Sequence, residues 1–179
     1  MADYAANMSM KLARENLRIL LVDDDENDVE LLCRTLHDEG FKQTITHFTN
    51  GSIALQYFKY TKATGSAVPH IILLDLNMPL IDGVRALHHL REVSSFRQLP
   101  VIILTGADDA AKRCEVAKLG IFRFLKKQYD RANVIAALDD FMDFYNHESD
   151  AMAVRRNVPF VIPDKTEMGL SRESRIHLF

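Results

Sequence analysis

The chain predicts a doubly wound α/β domain of five parallel strands in the order 2-1-3-4-5, each strand followed by a helix. Two observations carry this expectation. Short apolar runs alternate five times with segments of helical periodicity. Four of those runs, RILLV, HIILL, PVIIL and FRFL, each hand over to a polar residue at the carboxyl end. Near-continuous apolar strands need cover on both faces, which right-handed helical crossovers supply. The strand order reverses between strands one and three, so a ligand crevice is expected there, beyond the carboxyl ends.

The elements follow in order. Arg18 to Val22 reads as the first strand, and Val29, Leu32, Cys33 and Leu36 then recur at helical spacing until Gly40. Gln43 to Phe48 alternates as a second strand, and Ser52 to Tyr60 carries Ile53, Leu55 and Phe58 on a helix that ends in TKATGSAVP. Ile71 to Leu74 is the third strand, with Val84, Leu87 and Leu90 on one side of a helix over Gly83 to Glu92. Pro100 precedes the fourth strand, Val101 to Leu104, and its helix runs from Asp109 to Leu119 before Gly120. Phe122 to Leu125 is the fifth strand. Ala132 to His147 closes the pattern with Val134, Ile135, Leu138, Phe141, Met142 and Tyr145 apolar.

Composition narrows the function classes. The 179 residues are 47% hydrophobic and 26% charged with a net charge of -3, which fits one globular domain with extensions and argues against a general nucleic-acid binder. No run reaches the about 18 apolar residues of a membrane span, and the opening MADYAANMSMKLAREN lacks an apolar signal core, so a cytoplasmic protein is expected. Cys33 and Cys114 fall in helical patterns and read as thiols in a reducing compartment. His37, His47, His70, His88 and His89 have no metal-ligand spacing and are read as surface or packing residues.

The strand ends carry the chemistry. Asp75 follows the third strand, Asp23 and Asp24 the first, Thr105 the fourth and Lys126 and Lys127 the fifth. Clustered carboxylates repel one another, and a divalent cation relieves that repulsion. Oxygen-only ligands with room for water suit Mg²⁺, whose remaining positions accept a phosphoryl oxygen. Phosphoryl transfer follows, with Asp75 as nucleophile and the Lys127 ammonium and Thr105 hydroxyl opposite the developing charge. Taken singly, each feature has a plainer reading: Asp23, Asp24 and Asp25 as helix caps, Thr105 and Gly106 as a turn, Lys127 as a solvated charge.

With these residues in place, residues 17–147 resemble the receiver domain of two-component response regulators, which implies a flavodoxin-like (βα)5 receiver fold. The resemblance implies Asp23 and Asp24 as the acid pair, Asp75 as phosphoacceptor, Thr105 as the hydroxyl residue and Lys127 as the lysine. Asp75 to Thr105 spans 30 residues and Thr105 to Lys127 spans 22, as the family requires. The family's glycine seven residues before the lysine corresponds to Gly120 and selects Lys127 over Lys126. The same register makes Phe124 the switch aromatic and gives the Asn77 backbone carbonyl to Mg²⁺. ILLVDDDENDVELL and the loop before HIILLDLNMP look most like stand-alone regulators that partner phytochrome-type histidine kinases. One departure is Gln128, where receivers usually carry a cis proline. A non-proline residue prefers trans by about 2.5 to 4 kcal/mol, so the loop after the fifth strand is expected to take another path.

Three segments are therefore expected: a polar leader over 1–16, the receiver over 17–147 and an extension over 148–179 without an output domain. The extension is too short and proline-broken for a helix-turn-helix, so direct DNA contact is not expected. Its VPFVIP stretch has strand character and could dock on its own domain, a second subunit or a partner's sheet edge. Lys112, Lys118 and Arg123 opposite Asp139, Asp140 and Asp143 suggest a homodimer through the fourth helix, fifth strand and fifth helix. The expected function is a phosphoryl-accepting switch fed by a histidine kinase, not an enzyme beyond Mg²⁺-dependent self-phosphorylation and slow autodephosphorylation. The alternatives are a phosphorylation-independent docking receiver and an aspartyl-phosphate hydrolase. Asn77, standing where such hydrolases need a second acid, weighs against the latter.

Overall fold

The computed structural model describes residues 12–42, 45–65, 68–93, 96–106, 110–127, 131–147 and 176–178. After a 3-10 turn at Arg14–Asn16, the chain runs β1 (Ile19–Val22), α1 (Glu26–Asp38), β2 (Thr46–Phe48), α2 (Gly51–Thr64), β3 (Ile71–Asp75) and α3 (Gly83–Glu92). It continues through β4 (Val101–Thr105), α4 (Ala110–Lys118), β5 (Arg123–Lys126), α5 (Arg131–His147) and β6 (Ile176–Leu178). The sheet order is β5-β4-β3-β1-β2-β6, so the five parallel strands adopt the expected order.

The sixth strand is new. Ile176–Leu178 pairs antiparallel with β2, with Phe48 opposite Ile176 and Thr46 opposite Leu178. The sequence reading gave strand character to VPFVIP, which lies outside the described residues, and none to these three. Three residues among polar neighbours carry no periodic signal; the exposed edge of β2 supplies the hydrogen-bonding partners that make them a strand. The second helix also runs past its expected end at Tyr60. Asn50 caps its start by accepting from the Ile53 amide, and it ends four residues on at Thr64, followed by Gly65, whose φ of 70° suits glycine at a helix C-terminus. Thr61, in that extra turn, is buried with its hydroxyl satisfied by donation back to the Phe58 carbonyl.

Strand alternation divides the core into two layers. Ile19, Leu21, Ile71, Leu73, Ile102 and Leu104 face α1 and α5 and meet Leu32, Leu36, Leu138 and Phe141. Leu20, Val22, Ile72, Leu74, Val101 and Ile103 face α2, α3 and α4 and meet Phe48, Tyr57, Leu87 and Val116. Residues 12–16 also pack on the domain. Leu12 is buried and exchanges two hydrogen bonds with the Asn146 side chain, and Arg14 pairs with Asp139 and Glu39 while lying over the Phe41 ring.

Arg91, on the face of it an ordinary helix-end charge, ties the far side together. Its guanidinium donates to the carbonyls of Phe96, Leu99, Leu119 and Gly120 at 2.7 to 3.2 Å, joining the loops that enter β4 and β5. Burial of this group lowers its pKa. Arg91→Ala strips four carbonyls of a charged donor and is expected to cost on the order of 3 kcal/mol in urea unfolding, with Arg91→Lys recovering less than half.

Candidate functional site

The register brings the strand ends to one line. Val22 pairs with Leu74, Asp75 with Leu104, and Thr105 with Lys126. Asp23 follows Val22 directly, and the Lys127 amide donates to the Thr105 carbonyl at 2.9 Å. Counting alternate residues outward from the core puts Asp23, Asp75 and Lys127 on the α1/α5 face, continuing Leu21, Leu73 and Leu125. Thr105 continues Val101 and Ile103 on the other face and is 4% exposed.

Three of these side chains meet through one ammonium. Lys127 Nζ lies 2.8 Å from Asp23 Oδ1 and 3.0 Å from Asp75 Oδ2, with Asp28 Oδ2 at 3.5 Å. Asp75 Oδ1 accepts from the Asn77 amide at 3.1 Å. Asp23 Oδ1 also accepts from the Asp25 amide, whereas Asp23 Oδ2 is buried with no hydrogen-bond partner. Of the three consecutive acids only Asp25 is the helix cap, accepting from the amides of Asn27 and Asp28. Lys126 is exposed, and Lys127 is the lysine in the crevice.

The loop after Asp75 is held just as closely. Leu76 and Met78 are buried, Leu80 is exposed with φ 69°, and Asp82 caps α3 by accepting from the Arg85 amide. Gly83 donates to the Leu76 carbonyl and sits so near Asp75 that a Cβ on it would lie 2.0 Å from the Asp75 carbonyl oxygen. The exposed Asn77 side chain accepts from Lys112 Nζ at 2.7 Å. Phe124 is half-buried, with the Arg113 guanidinium 4.7 Å from its ring centroid.

The electrostatics favour an added cation. Burial pushes the Asp23 carboxyl up to about 6, against the opposing pull of Lys127 and the Asp25 amide. Burial acts to lower Lys127, yet Asp23 and Asp75 outweigh it and raise its pKa, so the ammonium persists. One ammonium therefore does not fully compensate the buried acids. Carboxylate oxygens of Asp23, Asp24 and Asp75 lie within 4.8 Å of one another. An all-oxygen donor set with one unsatisfied buried oxygen fits a hard divalent ion.

The sequence model of the response regulator receiver domain matches residues 19–139. The chain belongs to the response regulator receiver family. Among curated relatives, the response regulator Rre1 of Synechocystis is 30% identical over 138 residues, covering 76% of this receiver chain and 56% of Rre1. The matches span 22% to 66% of the lengths of the first curated relatives, several of which are much longer proteins. Among solved structures, the bacteriophytochrome response regulator RtBRR is 28% identical with a TM-score of 0.62, covering 70% of this chain and 77% of RtBRR. The bacteriophytochrome response regulator AtBRR is 26% identical with a TM-score of 0.61, covering 70% and 91%. No helix among the described residues is long and apolar enough to cross a membrane.

Several residues of the receiver's crevice escaped the sequence reading. Asp28, in the first turn of α1 just after the Asp25 cap, lies with Oδ2 3.5 Å from Lys127 Nζ. Lys112 was read only as part of a dimer face and Arg113 carries no motif signal; their contacts with Asn77 and Phe124 arise only when α4 packs over the strand ends. His47, given only a surface or packing role, is 1% exposed, and its Nε2 donates to the Asp23 carbonyl oxygen at 2.7 Å. Gln128 lies outside the described residues. Two acids of the suggested dimer face are engaged within the chain, Asp140 by Arg123 and Asp139 by Arg14.

Proposed function

We propose that the chain is a single-domain response regulator that accepts a phosphoryl group on Asp75 from a histidine kinase in a Mg²⁺-dependent phosphorelay, and signals through protein contacts. The observation that carries this reading is the buried Asp75 carboxylate held between the Lys127 ammonium and the Asn77 amide, beside the unsatisfied oxygen of Asp23. An Asp75 oxygen attacks phosphorus; the new P–O bond forms as the P–N bond to the donor imidazole breaks, and that nitrogen keeps the electron pair. Negative charge spreads over the three equatorial oxygens. Lys127 is placed to stabilise them, and Thr105 offers a hydroxyl from the opposite face. Mg²⁺, held by Asp23, Asp24, Asp75 and the Asn77 carbonyl, would neutralise further charge on those oxygens.

The acyl phosphate draws Thr105 towards it and lets Phe124 move inward, biasing a two-state surface at α4 and β5. Arg113 on the Phe124 ring favours the resting position of that aromatic. Likeness to RtBRR and AtBRR supports a phytochrome-type kinase as the donor. The reading divides the chain into a leader at 1–16, the receiver at 17–147 and an extension at 148–179. Self-association through α4, β5 and α5, or through the extension, belongs to the same reading. Sedimentation that finds a monomer at all concentrations, with and without phosphorylation, removes that part.

The test is direct. Incubation with Mg²⁺ and acetyl phosphate is expected to add one phosphoryl group by mass, acid-stable and base-labile, and chelation by EDTA is expected to prevent it. No adduct with Mg²⁺ present favours a docking receiver; rapid multiple turnover favours a hydrolase. Metal binding has its own readout. At a hundredfold excess over its Kd, Mg²⁺ is expected to stabilise the fold by about 2.7 kcal/mol. Asp24→Asn, at an exposed position, is expected to lose most of that gain while changing metal-free stability by no more than about 0.5 kcal/mol.

A further inference from the structure

Asp23 leaves the sheet where the β1–β2 ladder runs out. Its amide still donates to the Phe48 carbonyl at 3.1 Å, but β2 stops at Phe48 and the chain turns through Thr49 and Asn50 into α2. The Asp23 carbonyl accepts instead from a side chain, His47 Nε2, at 2.7 Å. A carbonyl only accepts, so this nitrogen carries the proton. β2 therefore grips Asp23 at both its amide and its carbonyl. β2 is itself enclosed, with β1 on one side and β6 on the other, where His47 stands opposite His177.

The side chain of Asp23 departs from that same clamped unit. Its Oδ1 is taken by Lys127 and the Asp25 amide, and its buried Oδ2 is the unsatisfied oxygen of the acidic cluster. Any rotation of the Asp23 backbone would move its carboxylate relative to those of Asp24 and Asp75, which lie within 4.8 Å of it. Packing alone does not require an imidazole at position 47, because an apolar side chain would fill the layer without the desolvation cost of ring nitrogens. A hydrogen bond in dry surroundings holds direction as well as volume. We propose that His47 is a positioning residue for the cation-binding carboxylate: it touches neither cation nor phosphoryl group and acts through the Asp23 backbone to aim Oδ2. This inference rests on the reading of the acidic cluster as the Mg²⁺ site of a phosphoryl-accepting receiver.

The test compares the full chain with His47→Leu, which fills space without a donor, and His47→Gln, which keeps a donor of similar reach. Mg²⁺ affinity is measured by calorimetry, alongside the metal-free thermal midpoint and the rate of adduct formation from acetyl phosphate at saturating Mg²⁺. His47→Leu is expected to raise the Mg²⁺ Kd about tenfold and His47→Gln less than about threefold, as for other partners that orient metal ligands. Adduct formation at saturating Mg²⁺ is expected to return close to wild type in both. A His47→Leu chain that binds Mg²⁺ like wild type, or a His47→Gln chain as weak as His47→Leu, overturns the proposal. Should His47→Leu not fold, His47→Asn, whose amide is too short to reach, takes its place with the same expected contrast and the same overturning result. A wild-type chain that binds no Mg²⁺ removes the proposal and the underlying reading together, whereas a Mg²⁺-binding wild type with indifferent variants removes the role of His47 alone.

Discussion

Asp75→Asn is expected to lose the phosphoryl adduct, with adduct formation from acetyl phosphate falling by at least about 10²-fold, because an amide oxygen is a poor nucleophile at phosphorus. The side chain keeps its shape, but its single amide oxygen serves only one of the two donors, the Asn77 amide or the Lys127 ammonium, so one hydrogen bond is lost. Removing one buried charge also lessens the repulsion that helps raise Asp23. The variant is therefore expected to unfold within about 1 kcal/mol of wild type. Mass spectrometry under acidic conditions, with loss on base treatment as the control, reads the adduct, and urea unfolding reads the stability. An adduct that persists in Asp75→Asn would mean that another carboxylate or a histidine accepts the group, and the assignment of Asp75 would fall.

Gly83→Ala is expected to be the most disruptive single methyl group in the domain. The added Cβ would meet the Asp75 carbonyl oxygen at 2.0 Å and the Leu76 Cα at 2.8 Å, both backbone atoms with no rotamer to give. Relief requires α3 to retreat from the end of β3. That retreat breaks the Gly83 amide to Leu76 carbonyl bond and loosens Leu76 and Met78 from the core. The expected cost is about 3 kcal/mol, or roughly 10 °C in thermal midpoint for a domain of this size. Adduct formation at a temperature where the variant remains folded is expected to slow as well, since the moved loop carries the Asn77 amide that holds Asp75. Wild-type stability in Gly83→Ala would mean that the loop relaxes without disturbing β3.

The two substitutions separate chemistry from support. Asp75 is the proposed source of the reacting atom and is expected to contribute little to the fold; Gly83 supplies no atom to the reaction and fixes where Asp75 stands. Arg91 and His47 belong with Gly83 in this respect. One joins the loops that enter β4 and β5, and the other holds the backbone of an acid in the cluster.

The amino-acid sequence by itself determined the alternation of strands and helices, the five-strand order and the residues at the strand ends. These are readable because buried parallel strands must be almost wholly apolar, so the polar residue that ends each one stands out. The family spacing of Asp75, Thr105 and Lys127 reads along the chain for the same reason. Tertiary structure decided what each charge does. Asp23, Asp24 and Asp25 are equivalent as letters, but the clamp from β2 holds one buried with an unsatisfied oxygen and the helix start turns another into a cap. Asp28, Lys112 and Arg113 acquire partners only through packing between elements distant in sequence, and Ile176–Leu178 becomes a strand only because β2 offers an open edge. Periodicity records which face of an element is buried; it carries no information about which distant donor will meet an acceptor, and the site depends on those meetings.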